Sequence, residues 1–138
     1  MLKRIEHIGI AVKDFEKSLK PYQDLGLPLN GIEEVMVQGA LNKVAFFPLR
    51  ETEIELLYTS SDSGLIADHL KKHGEGIHHI AIEVDDIDAY YDKLKKKGVK
   101  IMWDKVIPGS RGTRVLFIEP ETFNGVHIEL LQKPLNDK

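Results

Sequence analysis

An α+β fold of two tandem βαβββ modules is predicted by three features of the sequence. The first is an internal duplication. His7, Ile8, Ile10, Val12 and Asp14 recur 72 residues later as His79, Ile80, Ile82, Val84 and Asp86, and Gly26 recurs as Gly98 at the same shift. Lys43-Val-Ala-Phe46 returns as Arg114-Val-Leu-Phe117 at a shift of 71, and Ile54-Glu-Leu-Leu57 as Ile128-Glu-Leu-Leu131 at 74. Such a repeat has to be recognised before any fold is assigned, because it sets the architecture. The second feature is period-two alternation in the repeated apolar stretches, the pattern of strands with one buried face. The third is an aspartate cap before each apolar helical stripe and a glycine after it.

The first strand runs from Ile5 to Val12, with Glu6, Ile8, Ile10 and Val12 on one face and Ile5, His7, Gly9 and Ala11 on the other. Asp14 caps a helix from Phe15, whose Phe15, Leu19 and Tyr22 share a side. Pro21 inside that pattern predicts a kink or early end, with Gly26 closing the element. Strands are expected at 33–37, at Lys43–Phe47 ended by Pro48, and at Thr52–Tyr58, with Gln38–Asn42 as a turn. Ser60–Gly64 is turn-rich, and Leu65–His73 reads as a connecting helix between the halves.

The second half repeats this order. Ile77–Val84 is a strand, Asp86 a cap, and Ile87–Lys97 a helix terminated by Gly98. Lys95-Lys-Lys97 suits the negative end of the helix dipole as a solvated last turn. Strands follow at Val99–Trp103, Thr113–Ile118 and Val126–Leu131, with Pro108–Gly112 as a loop. The organisation expected is one domain over 1–138: a module over 1–60, a connector over 61–73 and a module over 74–133. One such half has too small a core to stand alone, so the two must pack together.

Composition narrows the functional classes. A net charge of −3 offers no general attraction to nucleic acid or to an anionic membrane surface. No apolar run is long enough for a membrane span, and the N-terminus enters a strand without the apolar core of a signal peptide. A cytoplasmic location is the expectation. With no cysteine, there is no disulfide, no thiol nucleophile and no cysteine-based zinc site.

The chemistry lies on the faces turned away from the helices. Each half offers one histidine there from its first strand and one glutamate from its last: His7 and Glu55, then His79 and Glu129. A single strand histidine is ordinarily structural, and a single strand glutamate ordinarily faces solvent. The repetition of both changes the balance. If the two curved sheets form one cup, two imidazoles and two carboxylates line it, a donor set suited to a divalent metal ion. A six-coordinate ion would keep two positions for water or substrate. The donor types do not distinguish cobalt, zinc, nickel, manganese and iron. His78 adjoins His79 but points to the other, helix-facing side.

The residues Ile5–Val12, Thr52–Leu57, Gly74–Asp86 and Asn124–Gln132 resemble the vicinal oxygen chelate (glyoxalase/bleomycin resistance/dioxygenase) superfamily, and within it most closely the methylmalonyl-CoA epimerases. The likeness spans nearly the whole chain. It implies paired βαβββ modules forming a metal-binding cup, with one divalent ion held by His7, Glu55, His79 and Glu129. It also implies an acyl-CoA thioester as substrate, a homodimer, and inversion at the carbon between a carboxylate and a thioester. Inversion needs a proton acceptor on each face of that carbon. The resemblance puts Glu129 at one of them. For the other, the matching third-strand region holds Lys43, taken to face the cup with Ala45 and Phe47, and Glu53 is a second candidate beside Glu55. Lys105, Arg111 and Arg114 are candidate contacts for the phosphates of such a substrate. A lactoylglutathione lyase of the glyoxalase I kind and a non-catalytic small-molecule binder are the alternatives.

Overall fold

The computed structural model describes residues 1–135; the last three residues of the expected 1–138 domain lie outside the described residues. The chain divides into two compact units, His7–His78 and a second that joins Met1–Glu6 to the chain from His79 onward. The duplicated halves are therefore not cut cleanly at the connector. The opening residues of the first strand, β1 (Leu2–Ala11), belong with the later half.

The unit His7–His78 contains the end of β1, helix α1 (Phe15–Leu25), strands β2 (Ile32–Val37), β3 (Ala40–Leu49) and β4 (Thr52–Thr59), and helix α2 (Leu65–His73). The strands run in the order β2-β3-β4-β1, with β1 parallel to β4 and the other neighbours antiparallel. Asp14 caps α1 by accepting from the Lys17 amide at 3.1 Å. The helix continues through Pro21 instead of ending there, and closes at Gly26 with φ 111°. Pro21 is exposed, so the carbonyl that loses its intrahelical donor can be met by water. Phe15 and Leu19 bury against Val12, Ala45, Phe47 and Leu56. Each such side chain contributes about 1.5–3 kcal/mol by leaving water.

On the other face of this sheet, Ile66 of α2 packs on Ala11, Val44, Phe46 and Leu57. The turn expected over Gln38–Asn42 is tighter than that. Only Gln38 and Gly39 separate the paired Val37 and Ala40, both with positive φ (47° and 85°), the signature of a type I′ hairpin. β3 accordingly starts at Ala40, and it runs past Pro48 to Leu49. Pro48 is tolerated because β2 pairs with β3 only as far as Ala45, so the proline's missing N–H lies beyond that ladder.

The second unit adds β5 (Gly76–Val84), α3 (Ile87–Lys96), β6 (Ile107–Pro108), β7 (Arg114–Ile118) and β8 (His127–Gln132), in the sheet order β5-β8-β7-β6 with β5 parallel to β8. Asp86 caps α3 through the Ala89 amide, and Ile87 packs on Val84, Ile101, Leu116, Ile118 and Leu130. The N-terminal residues are tied in by charge: Arg4 Nε donates to Glu83 at 2.9 Å, and the Met1 ammonium to Asp85 at 2.6 Å.

The expected strand over Val99–Trp103 does not form. Ile101 makes one bridge to Ile118, residues 102–104 turn outward, and pairing resumes only at Ile107 with Val115. Pro108, expected in a loop, ends the short strand β6. The ladder is lost at two consecutive residues. Trp103 and Asp104 both adopt the left-handed region, at φ 58° and 53°, which no strand accommodates. Among the described residues no helix is long and apolar enough to cross a membrane.

Candidate metal and active site

Strand register places each histidine beside its glutamate. In the first unit β1 and β4 run parallel, with His7 opposite Glu53 and Gly9 opposite Glu55. In the second, β5 and β8 do the same, with His79 opposite His127 and Ala81 opposite Glu129. The glutamate thus sits two residues beyond the histidine's partner in both, on the same face. Across these parallel pairs Gly9 stands opposite Glu55 and Ala81 opposite Glu129.

The result is the same contact twice. His7 Nδ1 lies 3.2 Å from Glu55 Oε2, and His79 Nε2 lies 3.2 Å from Glu129 Oε1. All four residues are at most 5% exposed. Burying a carboxylate is costly unless a cation or several donors answer it. A charged imidazole or a divalent ion would meet that need. All four are among the described residues able to hold a metal ion. Imidazole nitrogen with carboxylate oxygen fits the first-row divalent ions named from the sequence.

The other expectations divide. Glu53 is buried on the face of Glu55, directly across from His7. Lys43 is not on that face. It shares the α1 side with Ala45 and Phe47; its ammonium lies 4.9 Å from the centre of the Phe15 ring and 3.9 Å from Glu16. Side chains alternate along β3, so the face of Glu55 receives Asn42, Val44 and Phe46 instead. Lys43 is therefore withdrawn as the second base.

His78 is buried, and the helix its ring meets is α2, edge-on to His69 at 4.9 Å. Of the basic residues considered for phosphate contact, Arg114 is engaged by both carboxylate oxygens of Asp88, at 2.8 and 2.7 Å. Its guanidinium holds the Asp88 carboxyl below the usual range. Lys105 and Arg111 are exposed.

Two residues escaped the sequence reading. His127 occupies the position of Glu53 in the second unit, and aligning the two Ile-Glu-Leu-Leu segments already places one over the other. Phe117 lies opposite Glu129 on β7 and meets the His79 ring edge-on at 5.7 Å. Its apolar character gave no sign of that position.

A sequence model of the glyoxalase/bleomycin resistance protein/dioxygenase superfamily matches residues 6–117. The chain belongs to this superfamily. Within the superfamily it is 37% identical over 137 residues to the ethylmalonyl-CoA/methylmalonyl-CoA epimerase of Cereibacter sphaeroides, an alignment covering 96% of this chain and 99% of that one. The methylmalonyl-CoA epimerase of Mycobacterium tuberculosis superposes with a TM-score of 0.86 at 32% identity, over 96% of this chain and 89% of the other. A variant of the Streptomyces coelicolor methylmalonyl-CoA epimerase, in complex with 2-nitronate-propionyl-CoA, gives 0.88 at 29% identity over 100% and 99%. The superfamily and the α+β architecture expected from the duplication are thus both borne out.

Proposed function

We propose that the chain is a metal-dependent epimerase that interconverts the epimers of methylmalonyl-CoA or a closely related acyl-CoA. The observation that carries this reading is the repeated buried His–Glu pair, at 3.2 Å in each unit, in a chain similar along almost its full length to such epimerases. His7, Glu55, His79 and Glu129 would together hold one divalent ion. When bound, the ion supplies Lewis acidity to the carboxylate and thioester oxygens of the substrate as the α-proton leaves.

The protein's own residues then divide the work. Glu129 accepts the α-proton on one face of the carbon and returns it there. Glu53 does the same on the opposite face, so that removal on one side and delivery on the other inverts the centre. Burial of both carboxylates keeps bulk water from competing as proton donor. The chain acts in the cytoplasm as a homodimer, which sedimentation of the purified protein would test.

Solvent deuterium incorporation at the α-carbon of methylmalonyl-CoA, with and without added divalent metal, tests the reading. Metal-dependent exchange accompanied by epimerisation is expected. Turnover of the glutathione hemithioacetal with no exchange on methylmalonyl-CoA would assign the chain to the lyase alternative. Failure to retain or respond to any divalent ion would leave a non-catalytic binder.

A further inference from the structure

Trp103 is the single tryptophan of the chain, and the backbone is bent out of its ladder to present it. Between the pairs Ile101–Ile118 and Ile107–Val115 the edge segment takes six residue steps against three along β7. Extra residues of this sort re-aim side chains, and they concentrate beside active sites. Trp103 and the next residue both sit in the left-handed region, which side chains other than glycine's rarely occupy.

That conformation is pinned from α3. Tyr91 Oη donates to the Asp104 carbonyl at 2.9 Å, and Lys95 Nζ to the Asp104 carboxylate at 2.5 Å. The indole lies edge-on to Phe117 at 6.1 Å, and Phe117 lies edge-on to His79 at 5.7 Å. Phe117 is buried, whereas Trp103 is 38% exposed and stands apart from the core cluster under α3. A run of aromatic contacts therefore leads from His79, through Phe117 opposite Glu129, out to an accessible indole. Packing alone gives no reason to hold a half-open tryptophan on strained backbone.

We propose that Phe117 and Trp103 form the wall that receives the alkyl branch at the α-carbon of the acyl group, and that Trp103 limits the length of branch accepted. The inference rests on the acyl-CoA reading above. Its basis is chemical: an alkyl branch is the apolar part of an otherwise charged and polar head, and one methylene in an apolar pocket changes selectivity by about 10–200-fold.

The test uses the metal-loaded full chain, with kcat/KM for α-proton exchange on methylmalonyl-, ethylmalonyl- and propylmalonyl-CoA, and tryptophan emission on adding each thioester. Trp103→Ala should raise the propyl-to-methyl ratio of kcat/KM at least about tenfold, Trp103→Phe should shift it far less, and wild-type emission should move on binding. A wild-type protein that exchanges the α-proton, with a ratio unchanged in a natively folded Trp103→Ala, overturns the wall and leaves the proposed function standing. A wild-type protein that exchanges none of the three, with emission unmoved by any, removes both.

Discussion

The two units are built on one plan and differ at two places. In the first, β2 pairs with β3 without a break from Ile32 to Val37, and Glu53 stands opposite the strand histidine. In the second, the corresponding edge is interrupted at Trp103, and His127 stands opposite the histidine. The shared features, the parallel central pair and the His–Glu contact, follow from backbone register. On the proposed reading, the differences fall where a proton acceptor and an apolar contact are wanted. Duplication would then supply the donors in pairs, and divergence would give an asymmetric substrate unlike neighbours.

The sharpest way to break this comparison is to treat equivalent residues alike. Glu55→Gln and Glu129→Gln alter matched donors, but only Glu129 is also assigned proton transfer. kcat should fall about 10³-fold or more for Glu129→Gln, within the range for general acid–base groups. Glu55→Gln should lose metal affinity with a smaller effect on kcat once metal is saturating. Equal losses of kcat in both, with metal content measured, would leave Glu129 no role beyond ligation.

The next contrast is Glu53→Gln against His127→Gln. The first should lower epimerisation about 10²–10⁴-fold while exchange of one epimer's α-proton persists. The second should change it little, as followed by chiral analysis of the recovered thioester. In the cores, Leu56→Ala and Leu130→Ala remove matched buried leucines, and each should destabilise by about 2–5 kcal/mol in urea unfolding. A much smaller loss in one would show that its unit repacks more freely.

Asp104 gives a pH test of the broken edge. Hydrogen bonds from Lys95 and then Tyr91 hold its carboxyl below the ordinary carboxylate value of 3.8. Because the folded value is the lower one, this stabilisation is present above the unfolded value and is lost as pH falls through the folded one. Trp103 emission should therefore change in acid below that ordinary value, and Asp104→Asn should remove this transition. The smallest effect belongs to Lys43→Met, which forfeits about 0.5–1 kcal/mol of cation–π attraction to Phe15 and should leave turnover intact. A large loss of turnover would return Lys43 to the mechanism.

What could be read from the sequence was whatever repeats. The duplicated spacings carried the order of elements, the helix caps and the two His–Glu pairs, because period two assigns a face to every residue of a strand. Lys43 was given the wrong face: the turn before β3 is three residues shorter than expected, and a shift by an odd number of residues sends each side chain to the other face. The hairpin there uses only Gln38 and Gly39, which the polar run Gln38–Asn42 disguised. Trp103 went unseen for a different reason. Val99–Trp103 has good strand composition, and what breaks it is a tertiary anchor from Tyr91 and Lys95, remote in sequence. Pro21 and Pro48 both sit where their missing donor costs little, and composition alone does not reveal that.

The division of β1 between the units has a consequence for synthesis. Its leading residues are made before their partners: Asp85 and Glu83, which Met1 and Arg4 use, come some eighty positions later. While His7–His78 condenses, Leu2–Glu6 must wait as an unsatisfied strand end, the kind of edge through which nascent chains stick to one another. Lys3, Arg4 and Glu6 interrupt its apolar residues Leu2 and Ile5. Charges so placed are the usual gatekeepers against such sticking.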